Sequence, residues 1–165
     1  MTYCLAIRLE SGIVFVSDSR TNAGVDNVST YSKMNGFGIP GERQFVLLSS
    51  GNLATSQAVV TQIRRDIKNS AEQSLMTFQL MSDAAEYIGS SINVEASFII
   101  GGQIAGHKPA VYMVYPQGNY ITTSNDTIYL QIGESKYGKP ILDRILKHNS
   151  SSETAAMCAL VSMDS

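Results

Sequence analysis

An α+β layered sandwich is the fold class that the sequence predicts, because its pattern runs strands, helices, strands and helices in that order. A second observation is Ile13-Val14-Phe15-Val16, apolar at every position and so expected to be covered on both faces of its sheet. The third is size. At 165 residues, 44% hydrophobic and 16% charged, the chain suits one domain over 1–165.

Tyr3 to Leu9 and Ile13 to Ser17 read as strands joined through Glu10-Ser11-Gly12, a hairpin. With Ser11 at the centre of the turn, Thr2 faces Arg20 and Cys4 faces Asp18, on strands about 4.7–4.9 Å apart. Alternation then collects Thr2, Cys4, Asp18 and Arg20 on one face, with Leu5, Ile7, Ile13 and Phe15 on the other. Arg43 to Ser49 reads as a strand. Ala54 to Ile67 carries Ala58, Val59, Ile63 and Ile67 at helical spacing. After the Asn69-Ser70 break, Leu75 to Ile88 reads as a second helix, striped by Leu75, Phe78, Met81, Ala85 and Ile88. Strands follow at Ala96 to Gly102, Ala110 to Tyr115, Asn119 to Thr122 and Thr127 to Ile132, divided by Gly, Pro and Asn turns. Two closing helices run from Tyr137 to Lys147 and from Ser152 onward, with Ser152 and Thr154 as candidate caps.

The chemistry concentrates at the start of the chain. Thr2 stands directly behind Met1, so removal of Met1 would give one residue both a hydroxyl and a free α-amine. That amine titrates at roughly 7.7–8.0 and can act as base for its own hydroxyl, which is otherwise a poor nucleophile. A terminal threonine is a recognised variant of the acyl-transfer constellation. Asp18 and Lys33 supply opposite charges nearby in sequence. Cys4 is the competing nucleophile, ranked behind Thr2 because a buried cysteine usually acts as a small apolar residue.

Other classes are disfavoured. The net charge is −2, and Lys and Arg form no cluster beyond Arg64-Arg65, which argues against a nucleic-acid surface. No run approaches the roughly 18 apolar residues of a membrane span, and no basic-then-apolar leader opens the chain, so cytoplasm is expected. Cys4 and Cys158 form neither a disulfide framework nor zinc spacing, and His107 and His148 stand alone, so no metal or cofactor is expected.

The run Phe15-Val16-Ser17-Asp18-Ser19-Arg20-Thr21-Asn22-Ala23-Gly24, with Lys33, Leu48-Ser49-Ser50-Gly51-Asn52 and Ile132-Gly133-Glu134-Ser135-Lys136-Tyr137-Gly138, resembles proteasome β-type subunits, above all their bacterial ancestral-beta-subunit branch. The resemblance implies an N-terminal-nucleophile hydrolase fold, a four-layer α-β-β-α sandwich. It implies Thr2 as nucleophile, Lys33 as the ammonium beside it and Asp18 as the carboxylate holding that lysine. Arg20 would support them, Gly51 would offer an oxyanion-hole N–H, and Ser135 and Asp164 would complete the surround, although Glu134 holds the directly aligned place. Pocket walls would draw on Thr21, Tyr31 and Asn52. The family fold closes with two further strands, so the final strands are expected to be missing from these residues. Peptide or protein substrates, a bacterial cytoplasmic setting and a homo-oligomer, as ring or open spiral, are implied as well. A self-assembling scaffold with little activity and a small-molecule amidase are the alternatives.

Overall fold

The computed structural model describes residues 2–22, 28–91, 95–136 and 138–165. In chain order its elements are β1 (Tyr3–Leu9), β2 (Gly12–Ser17), β3 (Arg20–Asn22), β4 (Val28–Thr30), β5 (Met34–Ile39), β6 (Arg43–Gly51), α1 (Leu53–Lys68) and α2 (Met81–Ser91). Then come β7 (Ala96–Ile104), β8 (Ala110–Val114), β9 (Tyr120–Thr122), β10 (Tyr129–Gly133), α3 (Lys139–Ile145) and α4 (Ser152–Asp164).

Two antiparallel sheets stack face to face, one ordered β10-β1-β2 and one ordered β5-β6-β7-β8-β9, while β3 and β4 pair with each other. Between the sheets lie Cys4, Ala6, Leu48, Ile99, Val111, Leu130 and Ile132. On the outer face of the five-stranded sheet, Phe45, Leu47, Phe98 and Ile100 pack against Val59 and Ile63 of α1 and Ala85 and Ile88 of α2. On the other outer face, Leu5 and Ile7 meet Leu142 of α3 and Ala155, Cys158 and Ala159 of α4. The result is the four-layer α-β-β-α sandwich. Burying each large side chain such as Phe45 or Phe98 contributes about 1.5–3 kcal/mol, so three apolar layers share the stabilisation.

The first hairpin differs from expectation by one residue. Cys4 pairs with Ser17 and Leu9 with Gly12, so Glu10-Ser11 alone makes the connection and the turn is not centred on Ser11. Facing residues share a side of the sheet, which moves Ile13 and Phe15 to the inter-sheet layer with Cys4 and Ala6. Val14 and Val16 join Leu5 and Ile7 under the helices. The cover on both faces that the apolar run demanded is present.

Helix α2 begins six residues later than its stripe suggested. Ser74 and Thr77 bind neighbouring backbone groups instead: the Ser74 N–H donates to Thr77 Oγ1 at 3.0 Å and the Met76 N–H to Ser74 Oγ at 3.2 Å. Such local bonds compete with a helix ladder. The buried Arg43 guanidinium then donates to the carbonyls of Leu75 and Phe78, at 3.0 and 2.9 Å, holding the segment as turns while Leu75 stays fully buried. Strand β5 was not foreseen, since Gly36 and Gly38 interrupt its pattern. Ser151, rather than Ser152 or Thr154, caps α4, accepting from the Thr154 N–H at 3.1 Å. Helix α3 opens at Lys139; Tyr137, where it was expected to begin, lies outside the described residues. No helix among the described residues is long and apolar enough to cross a membrane.

Arg43→Ala would leave two carbonyls without their cationic donor. It is expected to lower stability by about 1.5–3 kcal/mol, read as a lower urea midpoint. An unchanged midpoint would show that the 72–80 turns hold themselves.

Candidate active site

Lys33 precedes β5, and its carbonyl accepts from the Ser49 N–H at 3.0 Å, which ties it to β6. Its side chain is buried, with 8% exposure for the residue, and its ammonium meets three acceptors. These are Thr2 Oγ1 at 3.1 Å, Asp18 Oδ2 at 2.7 Å and the Arg20 carbonyl at 2.5 Å. An ammonium has three N–H donors, and each has a partner here. The second Asp18 oxygen accepts from the Tyr3 N–H at 2.7 Å, and the Asp18 N–H donates to the Tyr3 carbonyl at 3.0 Å. Asp18 therefore lies opposite Tyr3, not Cys4, and reaches Lys33 sideways from the end of β2.

Thr2 is held by its own backbone too. Its carbonyl accepts from the Glu134 N–H at 2.7 Å, just past β10. Gly133 sits at φ +87°, and a Cβ there would run into that Thr2 carbonyl, so only glycine permits the approach. At the end of β6, Gly51 at φ +111° is constrained in the same way by the Glu95 carbonyl.

Two hollows flank Thr2. The larger, of about 370 Å³, runs between β5, β6 and α1 and includes Tyr31, Lys33, Asn35, Gly51 and Arg64 in its wall. The smaller, of about 290 Å³, lies toward α4 and is walled by Tyr3, Asp18, Glu134, Gly138 and Ser162. The Tyr3 hydroxyl and Ser162 Oγ share a short hydrogen bond there. Burial raises the Tyr3 pKa, while the Ser162 contact opposes the shift.

The structure thus brings Thr2, Asp18, Lys33 and Gly51 to one place. Arg20 arrives by its carbonyl, with its side chain exposed. Ser135 and Asp164 are exposed and belong to neither wall; Glu134 and Ser162 stand there instead, because β10 ends at Gly133 and α4 turns Ser162 inward on the same face as Ala155, Cys158 and Ala159. Asn52 is spent as the cap of α1, accepting from the Thr55 N–H at 3.2 Å. Tyr31 lines the cleft, and the Thr21 side chain lies outside the described residues. Cys4 is fully buried, with its thiol donating to the Ser49 carbonyl at 3.5 Å. Burial, followed by the nearby Asp18 charge, pushes that thiol up to about 12, which removes it as a nucleophile near neutral pH. Glu134 had a visible signal in sequence, its place after Ile132-Gly133. Tyr3, Ser162 and Arg64 had none, since each acts across more than thirty residues or through a wall that only packing creates.

A family model described as proteasome subunit matches residues 2–165. Among solved structures, Anbu (ancestral beta-subunit) from Yersinia bercovieri is 45% identical, with a TM-score of 0.95, 99% of this chain and 73% of that one being covered. The helical assembly of the Anbu complex from Pseudomonas aeruginosa is 46% identical, TM-score 0.95, over 99% and 74% of the two chains. Anbu from Hyphomicrobium sp. strain MC1 is 45% identical, TM-score 0.94, over 99% and 74%. No curated protein matches.

Asp18→Asn would leave the Lys33 ammonium without its anion. Breaking a buried pair from one side costs roughly 3–5 kcal/mol, and the partial exposure of Asp18 puts this case at about 3. Urea denaturation should read that loss, and equal stability would mean that the carboxylate does not hold Lys33.

Proposed function

Because the chain belongs to the proteasome-subunit family, we propose that it is a threonine hydrolase of amide bonds, with peptides as the substrate class and Thr2 as nucleophile. The observation that carries this reading is the 3.1 Å contact from Lys33 Nζ to Thr2 Oγ1. An oxygen that accepts from an ammonium keeps its own proton available for transfer.

The reaction requires a free amine on Thr2, hence loss of Met1, which lies outside the described residues. The amine takes the Oγ1 proton as Oγ1 bonds to the scissile carbonyl carbon. Gly51, through its N–H, is the proposed donor to the resulting oxyanion, a contribution of about 2.7–4 kcal/mol where one such donor has been removed. The C–N bond then breaks, and the leaving amine departs with the proton. Water, activated by the same α-amine, cleaves the ester and returns the proton to Oγ1. Lys33 lowers the pKa of the α-amine by like-charge proximity and steadies the alkoxide; Asp18 compensates and aims Lys33. With Met1 attached, the nitrogen of Thr2 is an amide and no base. A small-molecule amidase would use the same steps and differ only in what fills the cleft.

Assembly is the second reading. Met157, Leu160 and Val161 of α4 are 64%, 51% and 52% exposed, and Ile145 of α3 is exposed as well. The Pseudomonas aeruginosa relative is described as a helical assembly. We infer that this chain, too, forms a homo-oligomer, as ring or open spiral, with α3 and α4 as the contact face. Among the described residues α1 carries no large exposed apolar side chain, whereas α3 and α4 together carry four. A scaffold with little activity would keep this face and lack a free Thr2 amine, so intact mass of cell-derived protein separates the readings.

Thr2→Ala should abolish both hydrolysis and labelling by electrophiles selective for terminal threonine, with the fold retained; residual activity would remove Thr2 from the mechanism. Lys33→Ala should slow the reaction at least about tenfold and move its acid limb to higher pH, because the amine loses its neighbouring cation. A profile that stays in place would dismiss Lys33. Sedimentation at micromolar concentration should give a species well above a dimer, reduced by Leu160→Glu, and a monomer for the unaltered chain would defeat the assembly reading.

A further inference from the structure

Arg64 lies in the wall of the Thr2 cleft, in a basic pair to which the mechanism gives no role. Helix α1 brings it there by period: Leu53, Gln57, Val60, Thr61 and Arg64 all face the cleft. From Leu53 to Arg64 the helix rises about 16 Å at ~1.5 Å per residue, the length of about five residues of extended peptide. The Arg64 guanidinium donates to Asn35 Oδ1 at 3.3 Å. Asn35 is two positions beyond Lys33, and strand geometry sets their Cα atoms about 6.8 Å apart. A cation thus lines the same cleft as the Lys33–Thr2 pair.

Among the described residues no acidic side chain answers this charge. None of the described residues that line the cleft is acidic, and none of the ion pairs among the described residues includes Arg64. Asp18 is committed to Lys33 and the Tyr3 N–H. Asp66, the acid nearest on α1, turns the other way, toward Gln62 and the Tyr87 hydroxyl. Asn35 occupies one N–H of the guanidinium, leaving further donors for a second acceptor, and two parallel N–H groups fit a carboxylate.

We propose that Arg64 is a specificity residue of this cleft, selecting substrates whose acyl part carries a carboxylate side chain; the inference rests on the reading of Thr2 as nucleophile. Acidic side chains pair with the guanidinium, neutral amides gain less, and basic ones are repelled. Because Arg64 is exposed, the preference is moderate, about fivefold, and weakens with salt as the Debye length falls from about 10 Å at 0.1 M to roughly 3 Å at 1 M.

The test uses N-acetyl tripeptide aminocoumarin amides that differ only in Glu, Gln or Lys, placed in turn at each of the three positions. In the processed protein, kcat/KM should favour Glu over Gln about fivefold at one position, with Lys lowest and the ratio shrinking in 1 M salt. Arg64→Gln should bring the Glu-to-Gln ratio to about one, and Arg64→Glu should favour Lys. A parallel arm measures binding of the same peptides to Thr2→Ala by fluorescence anisotropy. Turnover with no Glu preference, or with a preference unaltered in Arg64→Gln, overturns the inference and leaves the hydrolase reading intact. Absent turnover with tighter Glu binding that Arg64→Gln abolishes supports the inference while the nucleophile reading falls. Absent turnover with equal binding overturns both.

Discussion

The ammonium of Lys33 is the constraint around which the rest is arranged. It enters from the start of β5 and meets Thr2 ahead of β1, Asp18 after β2 and the Arg20 carbonyl at β3. These segments belong to different sheets, and a buried ammonium is costly unless all its donors are answered. The sheets must therefore stack with their ends in one register, or the charge is left unpaired. The ion pair is thus a specification of geometry more than a source of net stability.

Arg43 is a useful contrast. It is equally buried, and its guanidinium also collects carbonyls, from Leu75 and Phe78, together with the Glu42 carboxylate, but it lines neither hollow beside Thr2. Its role is to replace a helical turn by a tethered loop over the core of α1, α2 and the five-stranded sheet. Two buried cations in one small fold do separate work: one pins a reactive end, the other pins a connection.

Glycines at two strand ends make the reactive end accessible to its neighbours. Gly133 lets the backbone of Thr2 pass against β10, and Gly51 lets β6 close against Glu95 before α1 begins. Around them the inter-sheet layer is built on apolar side chains, and the Cys4 thiol within it is inert because water is excluded and Asp18 is near. Among the described residues Thr2 alone lines the hollows on both sides.

The sequence by itself determined the layer order, the strands other than β3, β4 and β5, and the grouping of Thr2, Asp18, Lys33 and Gly51. Hydrophobic period and the quoted motifs are local properties, and they survive folding. It did not determine the register of the first hairpin, because Ile13-Val14-Phe15-Val16 is apolar on both faces and a one-residue slip still buries apolar side chains on each; only Gly12 pairing with Leu9 inside the stacked sheets selects one. Nor did it place Ser162 and Glu134 beside Thr2 in preference to Asp164 and Ser135. On a helix or at a strand end, a shift of one or two positions turns a side chain from wall to solvent, and that choice belongs to packing across the sandwich. Arg64 reached the cleft for the same reason: a helix face has meaning only against the sheet it covers.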